Sequence, residues 1–90
     1  MAASEKGLRG RVESDLRQFE ESIREVEGLK RRLSPQVRDN LQRARNYCSD
    51  SKYFLGKGDL PTAWGTINYA HGILDAVRKQ LGLECYGALD

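Results

Sequence analysis

The sequence predicts an all-α fold: a long amphipathic N-terminal helix packed on an antiparallel two-helix hairpin, a three-helix bundle that dimerisation would complete. Three observations carry this. Apolar residues recur at spacings of three and four along most of the 90 residues, the helical period rather than the alternation of a strand. Helix-start signals stand at Ser34-Pro35 and at Asp59-Leu60-Pro61. Gly56, Gly58 and Gly82 stand where helices would stop.

The first helix is expected over residues 4–33 or so, with Val12, Leu16, Phe19, Ile23, Val26, Lys30 and Leu33 as a heptad seam. Glu13, Glu20 and Glu27 each precede Arg17, Arg24 and Arg31 by four residues, an order worth about 0.2–0.5 kcal/mol per pair. Gly28 is its weak point. Ser34 can cap a second helix over about 35–55, with Pro35 in its first turn, where the missing N–H costs nothing. Val37, Leu41, Ala44, Cys48 and Leu55 form the buried stripe of that helix. Asp59 can cap a third over about 60–81, along Leu60, Ala63, Ile67, Ala70, Leu74, Val77 and Leu81. Residues 83–90 remain as a tail. A first helix of about 45 Å beside partners of about 30 Å would overhang them. A second copy of the chain would then cover the excess, so a homo-oligomer, most simply a dimer, is expected.

Ninety residues build one domain, 1–90, with a modest core. An apolar fraction of 39% beside 31% charge suits a folded helical domain rather than a disordered chain. No apolar run approaches the roughly 20 residues that cross a bilayer, and Met1–Lys6 lacks the apolar core of a signal peptide. Cys48 and Cys85 have no cysteine or histidine at ligand spacing. These features point to the cytoplasm, to no disulfide framework, and to no metal or cofactor. Gly56-Lys57-Gly58 lacks the spacing of a phosphate loop.

Three groups of residues are candidates for function. Gly65, Asn68, Gly72 and Asp75 recur at spacings of three, four and three on the third helix. Two interior glycines cost about 0.8–1 kcal/mol each, so something is expected to approach closely there. The stripe reads either as a packed inter-helix contact or as a groove for a partner or ligand. On the second helix Asn46, Asp50, Tyr53 and Lys57 form a comparable polar stripe, with Tyr47 and Tyr69 able to present hydroxyls. If the two stripes meet, Asp50 and Asp75 would share a cation or do acid–base work. Otherwise they belong to a satisfied polar network. His71, the sole histidine, adjoins the seam without a glycine-rich or elbow-like nucleophile, so it is expected to be packed or partly exposed beside this candidate pocket, and no residue is assigned as catalytic.

The third group is basic. Residues 28–45 hold Lys30, Arg31, Arg32, Arg38, Arg43 and Arg45 against Asp39 alone. This corner can grip the phosphates of a nucleic acid, RNA most simply, with Arg38, Arg45 and Lys52 as a track seven residues apart. No aromatic ladder is interleaved with these cations, and salt bridging to the glutamates of the first helix is the competing reading.

The run Ala44, Tyr47, Asp50, Tyr53-Phe54, Gly58-Asp59, Ala63 and Ile67-Asn68-Tyr69-Ala70-His71-Gly72-Ile73-Leu74-Asp75-Ala76 resembles the short archaeal proteins grouped as Domain of Unknown Function 357. The likeness covers the last half of the chain. It implies a small all-helical archaeal protein and supplies no activity. A weaker likeness of the same stretch is to the helical hairpins of HEPN-type domains. Their ribonuclease members place an arginine a few residues before a histidine, whereas the nearest arginine upstream of His71 is Arg45. The expected role is therefore a protein-interaction or scaffold module that self-associates or binds a partner protein. Nucleic-acid binding at residues 30–45 comes second, and a small-ligand or metal-dependent enzyme on the Asp50/Asp75 face third.

Overall fold

The computed structural model describes residues 5–29 and 31–84, with side chains from residue 7 onward. Lys30 and the tail from Cys85 onward lie outside the described residues. Three helices follow in order: α1 (Glu5–Glu27), α2 (Pro35–Gly56) and α3 (Leu60–Gln80).

The two inner helix starts form as their capping residues dictate. The Ser34 side chain accepts the Val37 N–H at 3.1 Å, and the Asp59 carboxylate accepts that of Thr62 at 3.3 Å. The turn between α2 and α3 is equally determined. Gly58 adopts φ +81°, which no β-carbon-bearing residue takes cheaply. The Asp59 N–H then reaches the Phe54 carbonyl and the Gly58 N–H that of Leu55. This double closure satisfies the last carbonyls of α2 and starts α3 at the next residue. Gly82, with φ +80°, ends α3 the same way: Leu83 N–H bonds the Arg78 carbonyl and Gly82 N–H that of Lys79.

The end of α1 departs from expectation. The helix stops at Glu27, not near Leu33. Gly28 and Leu29 still bond back to Arg24 and Val26, but as a turn. Glycine is a poor helix former, and a β-carbon at Gly28 would crowd the Arg24 carbonyl at 3.3 Å. Leu33 nevertheless packs against the core from the connecting segment. The consequence is architectural. Helices of 23, 22 and 21 residues are all about 32–35 Å long. The expected overhang does not exist, and helix length gives no reason for a second chain.

Paired contacts set the topology. Arg78 reaches the Ser22 carbonyl and His71 that of Asp15, so α1 and α3 run parallel. Ser51 bonds the Ala63 carbonyl and Tyr47 meets Tyr69 edge to face, so α2 runs antiparallel to α3. α3 is the central helix, packing extensively on α2 and next on α1, while α1 and α2 touch least. Val12, Leu16, Phe19, Ile23, Val26, Val37, Leu41, Ala44, Cys48, Ala63, Ile67, Ala70, Leu74 and Val77 form one core, and Leu60 is buried as well.

Candidate functional site

Because α2 and α1 occupy two sides of α3, its third side is left to solvent. The exposed positions there are Pro61, Thr62, Trp64, Gly65, Tyr69, Gly72 and Ala76, followed by Lys79. None of these exposed positions before Lys79 is charged at neutral pH. Trp64 and Tyr69 keep 40% and 56% of their surface in water, although burying rings of that size is strongly favourable. The Tyr69 ring meets Tyr47 of α2 edge to face, centroids 4.7 Å apart. Together with Thr62, Gly65 and Thr66 the two tyrosines line a shallow groove of about 500 Å³. A second, apolar groove of about 720 Å³ lies at the end of the bundle, between Gly7, Leu8 and Arg11 of α1 and Pro61 and Trp64 of α3.

Gly65 and Gly72 lie in the open on this face. A β-carbon built on either meets nothing within 4 Å. The close approach expected from their helix-interior cost is therefore absent among the described residues. Asn68 and Asp75 sit half-buried beside them.

The structure does not bring the two polar stripes together. Asn46, Asp50, Tyr53 and Lys57 are exposed on α2. Tyr53 is 59% exposed, its ring against Phe54 and beneath the Lys57 ammonium, 5.5 Å from the ring centroid. The register set by Ser51–Ala63 and Tyr47–Tyr69 places Asp75 opposite the first turns of α2. Asp50 lies about 15 Å further along the hairpin. The two aspartates are not neighbours and share no cation. Among the described residues, no group of three or more histidine, cysteine, aspartate or glutamate side chains is placed to hold a metal ion.

His71 is buried at the α1–α3 contact rather than presented to a substrate. Its Nε2–H donates to the Asp15 carbonyl at 2.9 Å, since a carbonyl can only accept. The ring packs edge-on against Phe19. Nδ1 is buried and has no hydrogen-bond partner among the described residues. Ring and neighbours form a buried packing contact between α1 and α3.

The basic corner is partly engaged. Arg45 pairs with Glu27, and Lys52 with Glu20 at 3.2 Å, so two members of the Arg38–Arg45–Lys52 track tie α2 to α1. Arg31 donates to the Leu81 carbonyl at 3.2 Å. Arg32, Arg38 and Arg43 are exposed. Between α1 and α2, Phe19, Ile23 and Cys48 floor a small groove under the charged pairs. Burial there pushes the Cys48 thiol above its ordinary value, with Lys52 pulling it down and Glu20 adding to the rise.

Arg78 escaped the sequence reading. It is 2% exposed, and donates to the Ser22 carbonyl, a Glu25 carboxylate oxygen and the Glu84 carbonyl at 3.1, 3.1 and 2.6 Å. One guanidinium thus fastens α1 to α3 and to the segment after it, using the fork geometry that arginine offers. Its signal lay in the spacing His71, Leu74, Arg78, a second inward stripe beside the apolar one.

A family described as "Protein of unknown function (DUF357)" matches residues 14–83 of the chain. No curated protein matches it. No helix among the described residues is long and apolar enough to cross a membrane.

Proposed function

The chain belongs to the DUF357 family, which carries no assigned activity, and on that premise we propose that it is a protein-interaction module that associates with itself through the outer face of α3. The observation that carries the reading is the scarcity of charge on that face, where the half-buried Asp75 is the one charged side chain between Pro61 and Ala76. From Pro61 to Ala76 its exposed positions are uncharged, small or aromatic. The exposed positions of α1 include Arg11, Glu13, Arg17, Glu20, Glu21, Arg24, Glu25 and Glu27, and those of α2 include Arg38, Asp39, Arg43, Asp50 and Lys52. Cores of protein interfaces are depleted in charge and enriched in tyrosine and tryptophan. Gly65 and Gly72 add to this. Each costs the helix about 0.8–1 kcal/mol, and no contact among the described residues requires either. A close approach from a second chain would use both.

Sedimentation equilibrium from about 1 to 200 µM tests the proposal, since a modest interface dissociates within that range. Wild-type protein should gain mass with concentration, and Gly72→Glu should remain a monomer with unchanged helicity. A wild type that stays monomeric throughout would overturn the reading.

Nucleic acid is the second reading, favoured by the exposed Arg32, Arg38 and Arg43. It predicts a log-affinity that falls with log salt by about 0.7–0.9 per phosphate contacted. Binding unchanged when those three arginines become glutamine would remove it. The enzyme reading has no support, because Asp50 and Asp75 lie apart and His71 is sealed in the core.

A further inference from the structure

Resting on that reading, we infer that two α3 helices pair antiparallel about a two-fold axis near Tyr69, with Gly65 against Gly72 of the partner subunit. The exposed stripe Thr62, Gly65, Tyr69, Gly72, Ala76 and Lys79 alternates spacings of three and four, so its members lie in one row. An antiparallel two-fold brings residue i of one copy to residue j of the other and j to i. With the axis at Tyr69, each glycine faces the opposite glycine and Thr62 faces Ala76 of the partner subunit. At both ends the exposed Asp59 faces Lys79 of the partner subunit. Small residues meet small, and acid meets base, twice.

A parallel pair would set each aspartate and each lysine against its own kind, which costs energy. Self-complementarity in shape and charge is what selects a second copy as the occupant. The tyrosines at the axis have room, because each lies between two glycines whose outward side is empty. The row from Asp59 to Lys79 is about 30 Å long. One helix ridge of that length covers less than the roughly 800 Å² per partner of a standard interface. The pair is therefore weak, with a dissociation constant in the micromolar range.

Disulfide trapping tests the register. Gly65→Cys and Gly72→Cys are made separately in a Cys85→Ser background, leaving the buried Cys48 in place. Both substitutions fall where an added β-carbon meets nothing within 4 Å among the described residues, so the fold should hold. The two proteins are oxidised alone and mixed, and the products read by non-reducing electrophoresis and mass spectrometry. The expected result is a crosslink in the mixture and little in either protein alone. Like positions would stand about 10 Å apart along the axis, beyond the Cα–Cα reach of about 4.4–6.8 Å for a disulfide. Efficient crosslinking of each variant to itself would overturn the antiparallel register and leave self-association standing. No crosslink, in a wild type that sediments as a dimer, would overturn the pairing and move the contact off α3. A wild-type monomer at every concentration would overturn both proposals and make a different protein the occupant of the face.

Discussion

Replacing Gly65 and Gly72 with alanine should stabilise the isolated chain. Both sit on the exposed side of α3, and the built β-carbon meets no atom within 4 Å in either case. The change therefore adds no clash and removes the conformational freedom that glycine retains when unfolded. Each alanine should contribute about 0.8–1 kcal/mol. The sites are a heptad apart, about 10 Å along the helix, far enough for the gains to add to about 1.6–2 kcal/mol. For a domain of this size that is an increase in Tm of about 6–16 °C. Circular dichroism during thermal and urea unfolding at about 2 µM, where a micromolar pair has largely dissociated, reads this term by itself. Repeating it at about 200 µM adds the association term, which the extra methyls between closely approaching helices should weaken. The gain should therefore shrink as concentration rises. A double variant less stable than wild type at low concentration would refute the reasoning, because it would place a neighbour against these glycines inside the chain.

Three further outcomes follow from the interior. Ser22 is fully buried in α1 with its hydroxyl unpartnered among the described residues, so Ser22→Ala should stabilise by about 1–2 kcal/mol in urea unfolding. A loss would reveal a partner for that hydroxyl. Arg78→Ala should cost about 2–4 kcal/mol, since it removes charge-assisted bonds to two carbonyls and a buried stem. Glu25, half exposed, recovers water and adds little to that cost. A double-mutant cycle on Arg45 and Glu27 should give a coupling under about 1 kcal/mol that fades with added salt, as partly exposed pairs do.

The fold was legible because each of the two inner helix starts carries its own chemistry. Ser34-Pro35 and Asp59-Leu60-Pro61 set those starts, and most seam residues at three-and-four spacing became the core, with Leu33, Leu55 and Leu81 partly buried at its edge. The end of α1 was not legible, because Val26, Lys30 and Leu33 continue the heptad while the backbone leaves the helix at Gly28. Periodicity reports which side chains face inward, and Leu33 does so from a connecting segment. Arg78 was missed, and the partner of His71 left unnamed, for a related reason. A helix with one neighbour buries one stripe, but α3 lies between two, and its second stripe carries polar residues that α1 satisfies. Gly65 and Gly72 were identified from the sequence as unusual, but a residue without a side chain does not say from which direction it is approached. Likewise the aspartates of α2 and α3 share the hairpin, and only the register Tyr47–Tyr69 shows that they stand apart.

The most direct measurement of the α3 face as the interaction surface is a dilution series followed by backbone-amide NMR, from about 500 to about 10 µM, across the expected dissociation range. The account predicts concentration-dependent shifts confined to Asp59, Leu60, Thr62–Lys79 and the adjoining Tyr47, with α1 and residues 31–45 unmoved. Shifts centred on the arginine corner or on α1, or no shift anywhere, would contradict it.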